Sequence, residues 1–256
     1  MRVLLLCLLV LSGFSASAET RALRVAFSAQ QGANQSTPGL ATFNRELAGE
    51  ICRRIRVICT FVDLPFQEIL PGLEEKRIDL GFGSYLRTAE REARVAFSDP
   101  IWQSSSRLIG AAQTSKRFAG KSGGTVALNK LRDARVVAIV GSRQHAYLEA
   151  IAAEQNLKLV AATSIVDLFG VLRAGQADFG LVVMLAAYAH LNEQAAEGFE
   201  FIGPAMHDRG LGGSVHIALP KDDGNFRQRV NQAIATMRSD GTYHRIVRHS
   251  FPFNLD

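Results

Sequence analysis

Short apolar strands alternate with amphipathic helices along the first hundred residues, and this alternation limits the folds open to the chain. The stretch LRVAFS (23–28) has the composition of a buried strand, and a helical pattern with apolar residues every four positions follows over 43–55. Two further strand patterns, at 57–63 and 78–84, are separated by a short helix at 65–76. This order of elements predicts a parallel sheet covered by helices.

The same alternation returns after Pro100, so the chain contains two α/β units in tandem. A further strand at 213–220 and a helical tail at 222–251, interrupted at Gly241, follow the second unit. The junction at 101–106 lacks the composition of a loose linker and indicates an extended crossing. The elements predicted for the second unit are strands at 106–112, 135–140, 157–163 and 177–183, a loop at 120–125, and helices at 142–155, 164–175 and 184–192.

The first 18 residues have the pattern of a cleavable export signal. Arg2 precedes an apolar run too short to span a bilayer, and the Ala-Ser-Ala at 16–18 has the spacing that signal peptidase recognises. We therefore expect residues 1–18 to be removed and the mature protein to be exported.

Composition and motifs argue against several functional classes. The formal net charge of +5 comes without a basic run, which does not favour nucleic acid as a partner. The six histidines show no metal-ligand spacing, and the sequence contains no zinc-protease motif, nucleophile elbow or P-loop. We expect no metal, no cofactor and no enzymatic activity.

Two cysteines remain once the export signal, which contains Cys7, is removed. Cys52 and Cys59 are seven residues apart, and no further His or Cys lies near them as a metal ligand would. In an exported protein this arrangement favours a disulfide over two free thiols.

Four stretches carry a resemblance to a known family. On these residues the chain resembles the periplasmic solute-binding proteins of polar amino-acid ABC importers, the type that includes the lysine/arginine/ornithine- and histidine-binding proteins. The stretches are FNRELAGEICRRIRVICTFV (43–62), FQEILPGLEEKRIDLGFGSYLRTAEREARVAFSDP (66–100), GSRQHAY (141–147) and NQAIATMRSDGTYHRIVRHSF (231–251).

The resemblance implies an α/β fold of the type II periplasmic binding protein class, with two lobes, each a mixed sheet flanked by helices, and two hinge strands. Lobe 1 would comprise 22–104 and 208–256, and lobe 2 would comprise 105–207. A small carboxylate-bearing solute, an amino acid or a related organic acid, would bind in the interlobe cleft. The receptor, expected to be a monomer, would deliver it to an inner-membrane ABC permease.

The segment RTAEREARVAFSDP contains three arginines, and the resemblance separates them. It implies that Arg91 binds the ligand's carboxylate through a bidentate hydrogen bond, a geometry that suits a guanidinium group. Gly83 and Ser84 match positions that supply backbone and hydroxyl donors. Arg87 and Arg94 are expected on the surface.

Further positions match ligand contacts from both lobes. Phe66 matches an aromatic that stacks on the ligand, with core packing as the alternative. Ser142 and Arg143 match a loop that caps the carboxylate at a helix N-terminus, a favourable place for an anion. Arg143 replaces a small hydroxyl residue, and it either contacts the ligand or points outward. Leu86 departs from the Ser or Thr that relatives commonly carry on the carboxylate.

Two departures bear on the ligand's amino group. Val183 stands where amino-acid receptors usually have an acidic residue, and Ser28 where receptors for basic amino acids have Asp. A buried ammonium without an acidic partner is costly, so a carboxylate without an amine is favoured. Gln30, Gln31 or backbone carbonyls are an alternative source of amine contacts, and Asp178 is expected to be structural.

Two other functions share this fold. One is an accessory or sensor binding protein for a periplasmic quinoprotein dehydrogenase system. The other is an enzyme resembling cyclohexadienyl dehydratase, which needs an acid or base facing the ligand. Ser28, Leu86 and Val183 supply neither an acid nor a base, which disfavours the enzyme.

Overall fold

The computed structural model describes residues 22–28, 39–119, 126–193 and 197–255. These residues form strands and helices in alternation, and Leu128–Lys130 form a turn of 3₁₀ helix. The strands are β1 (Leu23–Ser28), β2 (Cys59–Leu64), β3 (Leu80–Leu86), β4 (Ala96–Phe97), β5 (Trp102–Ser104), β6 (Ser106–Ala111), β7 (Arg135–Ile139), β8 (Lys158–Ala162), β9 (Phe179–Val183), β10 (Phe199–Met206) and β11 (Gly213–Leu219). The helices are α1 (Leu40–Arg54), α2 (Phe66–Glu74), α3 (Ala89–Arg94), α4 (Ala112–Phe118), α5 (Arg143–Gln155), α6 (Ile165–Arg173), α7 (Met184–Glu193), α8 (Gly224–Ser239) and α9 (Thr242–Ser250).

The first lobe is built on a mixed sheet with the strand order β2-β1-β3-β11-β4, and β5 also pairs with β11. β1 runs parallel to β2 and β3, whereas β11 is antiparallel to β3, β4 and β5. Successive strand residues face opposite sides of the sheet. Val25 and Phe27 therefore pack with the apolar residues of α1, α8 and α9, and Ala26 packs with those of α2.

The second lobe is built on a mixed sheet with the order β10-β6-β9-β7-β8. β7 is parallel to β8 and β9, and β6 is antiparallel to β9 and β10. Val136 packs with the apolar face of α5, while the next residue, Val137, packs with that of α6 on the other side. The predicted fold of two mixed sheets flanked by helices is confirmed.

The chain crosses between the sheets twice. Ser105 alone separates β5 in the first sheet from β6 in the second, and residues 207–212 connect β10 back to β11. We retain the lobe limits of 22–104 with 208–256, and 105–207, as a proposal.

Most predicted elements lie within a few residues of the observed ones, but some were missed. β10 contains Gly203 and Pro204 and lies at the sheet edge, where a strand needs only one partner. β4, β5 and α4 were also absent from the prediction, and β3 continues to Leu86, two residues past its expected end. The expected loop at 120–125 and export signal at 1–18 lie outside the described residues.

The predicted disulfide is present between Cys52 and Cys59, whose Cα atoms are 6.2 Å apart. It ties the last turn of α1 to the first residue of β2. Among the described residues, no helix is long and apolar enough to cross a membrane. The same residues contain no cluster of His, Cys, Asp or Glu able to hold a metal ion.

Candidate functional site

The three arginines of the 87–94 segment have different surroundings. The Nε of Arg87 donates to Glu92 at 2.7 Å, and the Nε of Arg94 donates to Glu74 at 2.9 Å. Both pairs are solvent-exposed, where an ion pair contributes little to stability. Arg91 differs because it is only 8% exposed and has no carboxylate partner among the described residues.

Arg91 reaches from the first lobe to the second. Its Nη1 donates to the carbonyl oxygen of Leu86 at 3.0 Å, and its Nη2 donates to that of Gly141 at 3.1 Å. The guanidinium carbon lies 5.3 Å from the ring centre of Tyr85 and 5.9 Å from that of Phe66. An arginine has five N–H donors, so several remain without an acceptor in the part of the chain that the structure describes.

The charge on Arg91 is held in an environment that opposes it. Burial lowers the pKa of Arg91, the nearby Tyr85 acts in the opposite direction, and the positive charge of Arg143 lowers it further. Because arginine stays protonated even when its pKa falls, the site keeps a desolvated positive charge.

Local backbone geometry places Arg91 at this position. Thr88 begins α3 as its N-cap, and its Oγ1 accepts a hydrogen bond from the Arg91 backbone N–H at 3.2 Å. Ser84 has a left-handed backbone with φ of 54°, an unusual conformation that often marks a functional segment. Leu86 is buried in the core of the first lobe and contributes its carbonyl rather than a hydroxyl.

An aromatic pair supports the arginine. Phe66 is half-buried and stacks on the fully buried Tyr85, with ring centres 5.0 Å apart. Gly83 leaves room for this arrangement, because a Cβ there would lie 2.6 Å from the Tyr85 ring. The sequence reasoning overlooked Tyr85, although an aromatic next to the predicted donor Ser84 was a usable signal.

The second lobe presents the beginning of α5. Ser142 is the N-cap, and its Oγ accepts from the backbone N–H of His145 at 3.1 Å. The buried Gln144 donates to the Oγ of Ser106 at 2.7 Å, and that hydroxyl donates to the carbonyl of Leu211 at 2.5 Å. This chain of hydrogen bonds connects the α5 N-terminus to the first residue of β6 and to the returning segment 207–212.

Arg143 lies against the returning crossing segment. A Cβ at Gly210 would be 2.3 Å from its Nη2 and 3.0 Å from its guanidinium carbon. The Nε of Arg143 is fully buried and has no hydrogen-bond acceptor among the described residues. The side chain is therefore packed rather than extended into bulk water.

Val183 and Ser28, the two positions at which this chain has no acidic residue, lie in different surroundings. Val183 ends β9, is half-buried, and packs against the apolar core of the first lobe. Ser28 ends β1, is half-buried, and lies opposite Leu64 of β2. Gln30 and Gln31 lie outside the described residues.

Asp178 is structural, as predicted. Its carboxylate accepts from the backbone N–H of Arg135 at 2.8 Å and forms ion pairs with the side chains of Arg135 and Arg117. Burial raises the pKa of Asp178, but hydrogen bonds from Arg135 outweigh it and the pKa lies below its ordinary value.

Comparison with known proteins gives a consistent family assignment. Residues 23–253 match the bacterial extracellular solute-binding proteins, family 3. A histidine-binding periplasmic protein of Salmonella typhimurium strain LT2 is 31% identical over 218 residues, covering 84% of this chain and 81% of the relative. A lysine/arginine/ornithine-binding periplasmic protein of Escherichia coli K12 is 30% identical over 215 residues, covering 83% of this chain and 80% of the relative.

Solved structures share the fold at lower identity. An ancestral arginine-binding protein bound to arginine has a TM-score of 0.76 and 23% identity, covering 91% of this chain and 99% of that one. The GluR0 ligand-binding core of Nostoc punctiforme, in complex with glutamate, has a TM-score of 0.72 and 20% identity, covering 90% of this chain and 99% of that one.

Proposed function

Because the chain belongs to family 3 of the bacterial extracellular solute-binding proteins, we propose that it is a periplasmic receptor for a small carboxylate-bearing solute. The solute, an amino acid or a related organic acid, binds between the lobes and is delivered to an inner-membrane ABC permease. The relatives described above are named as periplasmic binding proteins, which supports a binding role over an enzymatic one.

This proposal rests on the buried guanidinium of Arg91, which forms no ion pair within the part of the chain that the structure describes. Within the described ranges, its side chain donates to two neutral carbonyls, one from each lobe. A carboxylate is a stronger acceptor than a carbonyl, and its two oxygens match the guanidinium fork. A ligand on Arg91 would therefore neutralise a desolvated charge at the place where the lobes meet.

The second lobe adds partial positive charge to the same region. Gly141, whose carbonyl contacts Arg91, immediately precedes the N-cap Ser142. The free backbone N–H groups of a helix N-terminus and the helix dipole favour an anion there. Contacts from both lobes would let the carboxylate stabilise a closed arrangement of the two lobes.

Replacing Arg91 tests the proposal. Wild-type protein is first screened by thermal shift against amino acids and organic acids, since a ligand at 100 times its Kd stabilises a protein by about 2.7 kcal/mol. Arg91→Ala is expected to abolish binding of every hit, because losing one partner of a desolvated charge pair costs about 2–5 kcal/mol.

The matched controls are Arg87→Ala and Arg94→Ala, which each remove one exposed arginine from the same segment. Both variants are expected to bind the hits as the wild type does. Equal binding by all three variants would mean that the segment is only a solvated surface, and the proposed function would be wrong.

A further inference from the structure

We propose that the ligand carries two carboxylates, one for Arg91 and one for Arg143, and that Arg143 determines this specificity. The inference rests on the proposed function and narrows its ligand class to a small dicarboxylate. It depends on the environment of Arg143, a residue whose role the sequence left open.

The first step is that two positive charges lie close together. Arg91 donates to the carbonyl oxygen of Gly141, two residues before Arg143. Burial lowers the pKa of Arg91, the charge of Arg143 lowers it further, and the exposed carboxylate of Glu90 acts in the opposite direction. Neither arginine forms an ion pair with a carboxylate in the part of the chain that the structure describes, unlike the neighbouring Arg87 and Arg94. Two like charges in a partly desolvated region repel each other, so the pair attracts negative charge.

The second step is that Arg143 is held in place. Its guanidinium packs on Gly210, which has a φ of 77° and offers no Cβ to collide with the side chain. Its Nε is fully buried. A long exposed side chain would be free to turn into solvent, but this packing keeps the charge beside the crossing segment.

The third step concerns how many negative charges the ligand needs. A monocarboxylate on Arg91 leaves Arg143 without a partner, whereas a dicarboxylate neutralises both arginines. An ammonium group would add a third positive charge, and Val183 offers it only an apolar surface. Charge balance therefore favours a small dicarboxylate over a monocarboxylate or a basic amino acid.

The test measures affinity by calorimetry for pairs of equal chain length, succinate against butyrate and glutarate against valerate, at one ionic strength. The wild type is expected to bind the better dicarboxylate at least about tenfold more tightly than its monocarboxylate partner. Arg143→Gln is expected to remove this preference by weakening only the dicarboxylate, while Arg143→Lys retains part of it.

Two further variants complete the design. Gly210→Ala displaces the guanidinium of Arg143 by placing a Cβ against it. Provided that thermal unfolding shows an intact fold, this variant is expected to bind the dicarboxylate more weakly and the monocarboxylate as the wild type does. Arg209→Gln removes an exposed cation from the same crossing segment and is expected to leave the preference unchanged.

The outcomes separate this inference from the proposed function. The inference would be overturned if the wild type prefers no dicarboxylate over its monocarboxylate partner. It would also be overturned if Arg143→Gln lowers the affinity for both ligand types equally. If a monocarboxylate or an amino acid still binds in an Arg91-dependent manner, the proposed function survives. If no carboxylate binds, both are wrong.

Discussion

Arg87, Arg91 and Arg94 lie within eight residues, yet only Arg91 is buried. The other two are neutralised at the surface by Glu92 and Glu74. Thr88 is the N-cap of α3, and Arg91, the third residue of the helix, turns inward between the lobes. The same residue type therefore lies on a solvated surface at two positions and is buried against both lobes at the third.

The close contact of Gly83 with Tyr85 leads to a prediction about stability. In Gly83→Ala the new Cβ would lie 2.6 Å from the ring of Tyr85, which is fully buried and stacked on Phe66. Because a buried ring has little space to move, we expect the free energy of unfolding to fall by about 1–3 kcal/mol. Urea denaturation measures the change.

Gly49→Ala is the control for this substitution. Gly49 lies in α1, and a Cβ there would meet nothing within 4 Å. Alanine has the higher helix propensity, so this variant is expected to be more stable by up to about 1 kcal/mol. An unchanged stability of Gly83→Ala would show that Tyr85 adjusts easily and that the aromatic support is loose.

At the scale of elements, a network of charges links α1 to the C-terminal helices. Glu50 contacts both Arg53 and Arg54, and Arg54 also contacts Asp240 in the turn between α8 and α9. Hydrogen bonds from Arg53 and then Arg54 hold the pKa of Glu50 at about 2, below its ordinary value of 4.5, against the effect of burial.

This shift predicts an acid-sensitive contribution to stability. Because the pKa of Glu50 is lower in the folded protein, its stabilising effect is complete above pH 4.5 and is lost as the pH falls towards about 2. In Glu50→Gln the free energy of unfolding should therefore fall less steeply over this range than in the wild type. Urea denaturation at a series of pH values measures the two slopes.

The control is Glu75→Gln, which removes a surface carboxylate whose side chain is 58% exposed. A solvent-screened pair contributes little, so this variant is expected to keep the wild-type slope. Identical slopes for the wild type and Glu50→Gln would show that the contacts of α1 with the arginines do not persist in solution.

At the scale of the whole molecule, apolar residues of the second lobe extend the core of the first. Leu185 belongs to the apolar cluster that also contains Phe43 and Leu47 of α1, and Val183 packs against this cluster. An apolar contact therefore occupies the position where the resemblance would have placed an acid for an amino group.

This arrangement predicts which member of a ligand pair binds better. A deaminated analogue is expected to bind at least as tightly as the matching amino acid, because an ammonium loses hydration and gains no acidic partner at Val183 or Ser28. Calorimetry with glutarate against glutamate and valerate against norvaline tests the expectation. Tight binding of a free amino acid, with no response to its deaminated analogue, would restore an ordinary amino-acid receptor.

How far the elements could be predicted depended on how each one is stabilised. Amphipathic helices such as α1 and α8 and buried strands such as β1 and β7 were recognised, because their apolar periodicity is a local property. β10 was missed, and β3 was predicted two residues too short. The apolar pattern of these residues is weak, and their pairing with β6 and β11, respectively, stabilises them.

The sequence by itself determined the alternation of elements, the two α/β units in tandem and the disulfide, because periodicity and cysteine spacing can be read along one chain. The family resemblance implied the two-lobed arrangement and the candidate site residues. Only the tertiary structure decided that Arg91 contacts carbonyls of both lobes, that Tyr85 supports it, and that Arg143 packs on Gly210. Burial and charge balance depend on residues far apart in the chain, and folding brings Arg91, Gly141 and Gly210 into one region.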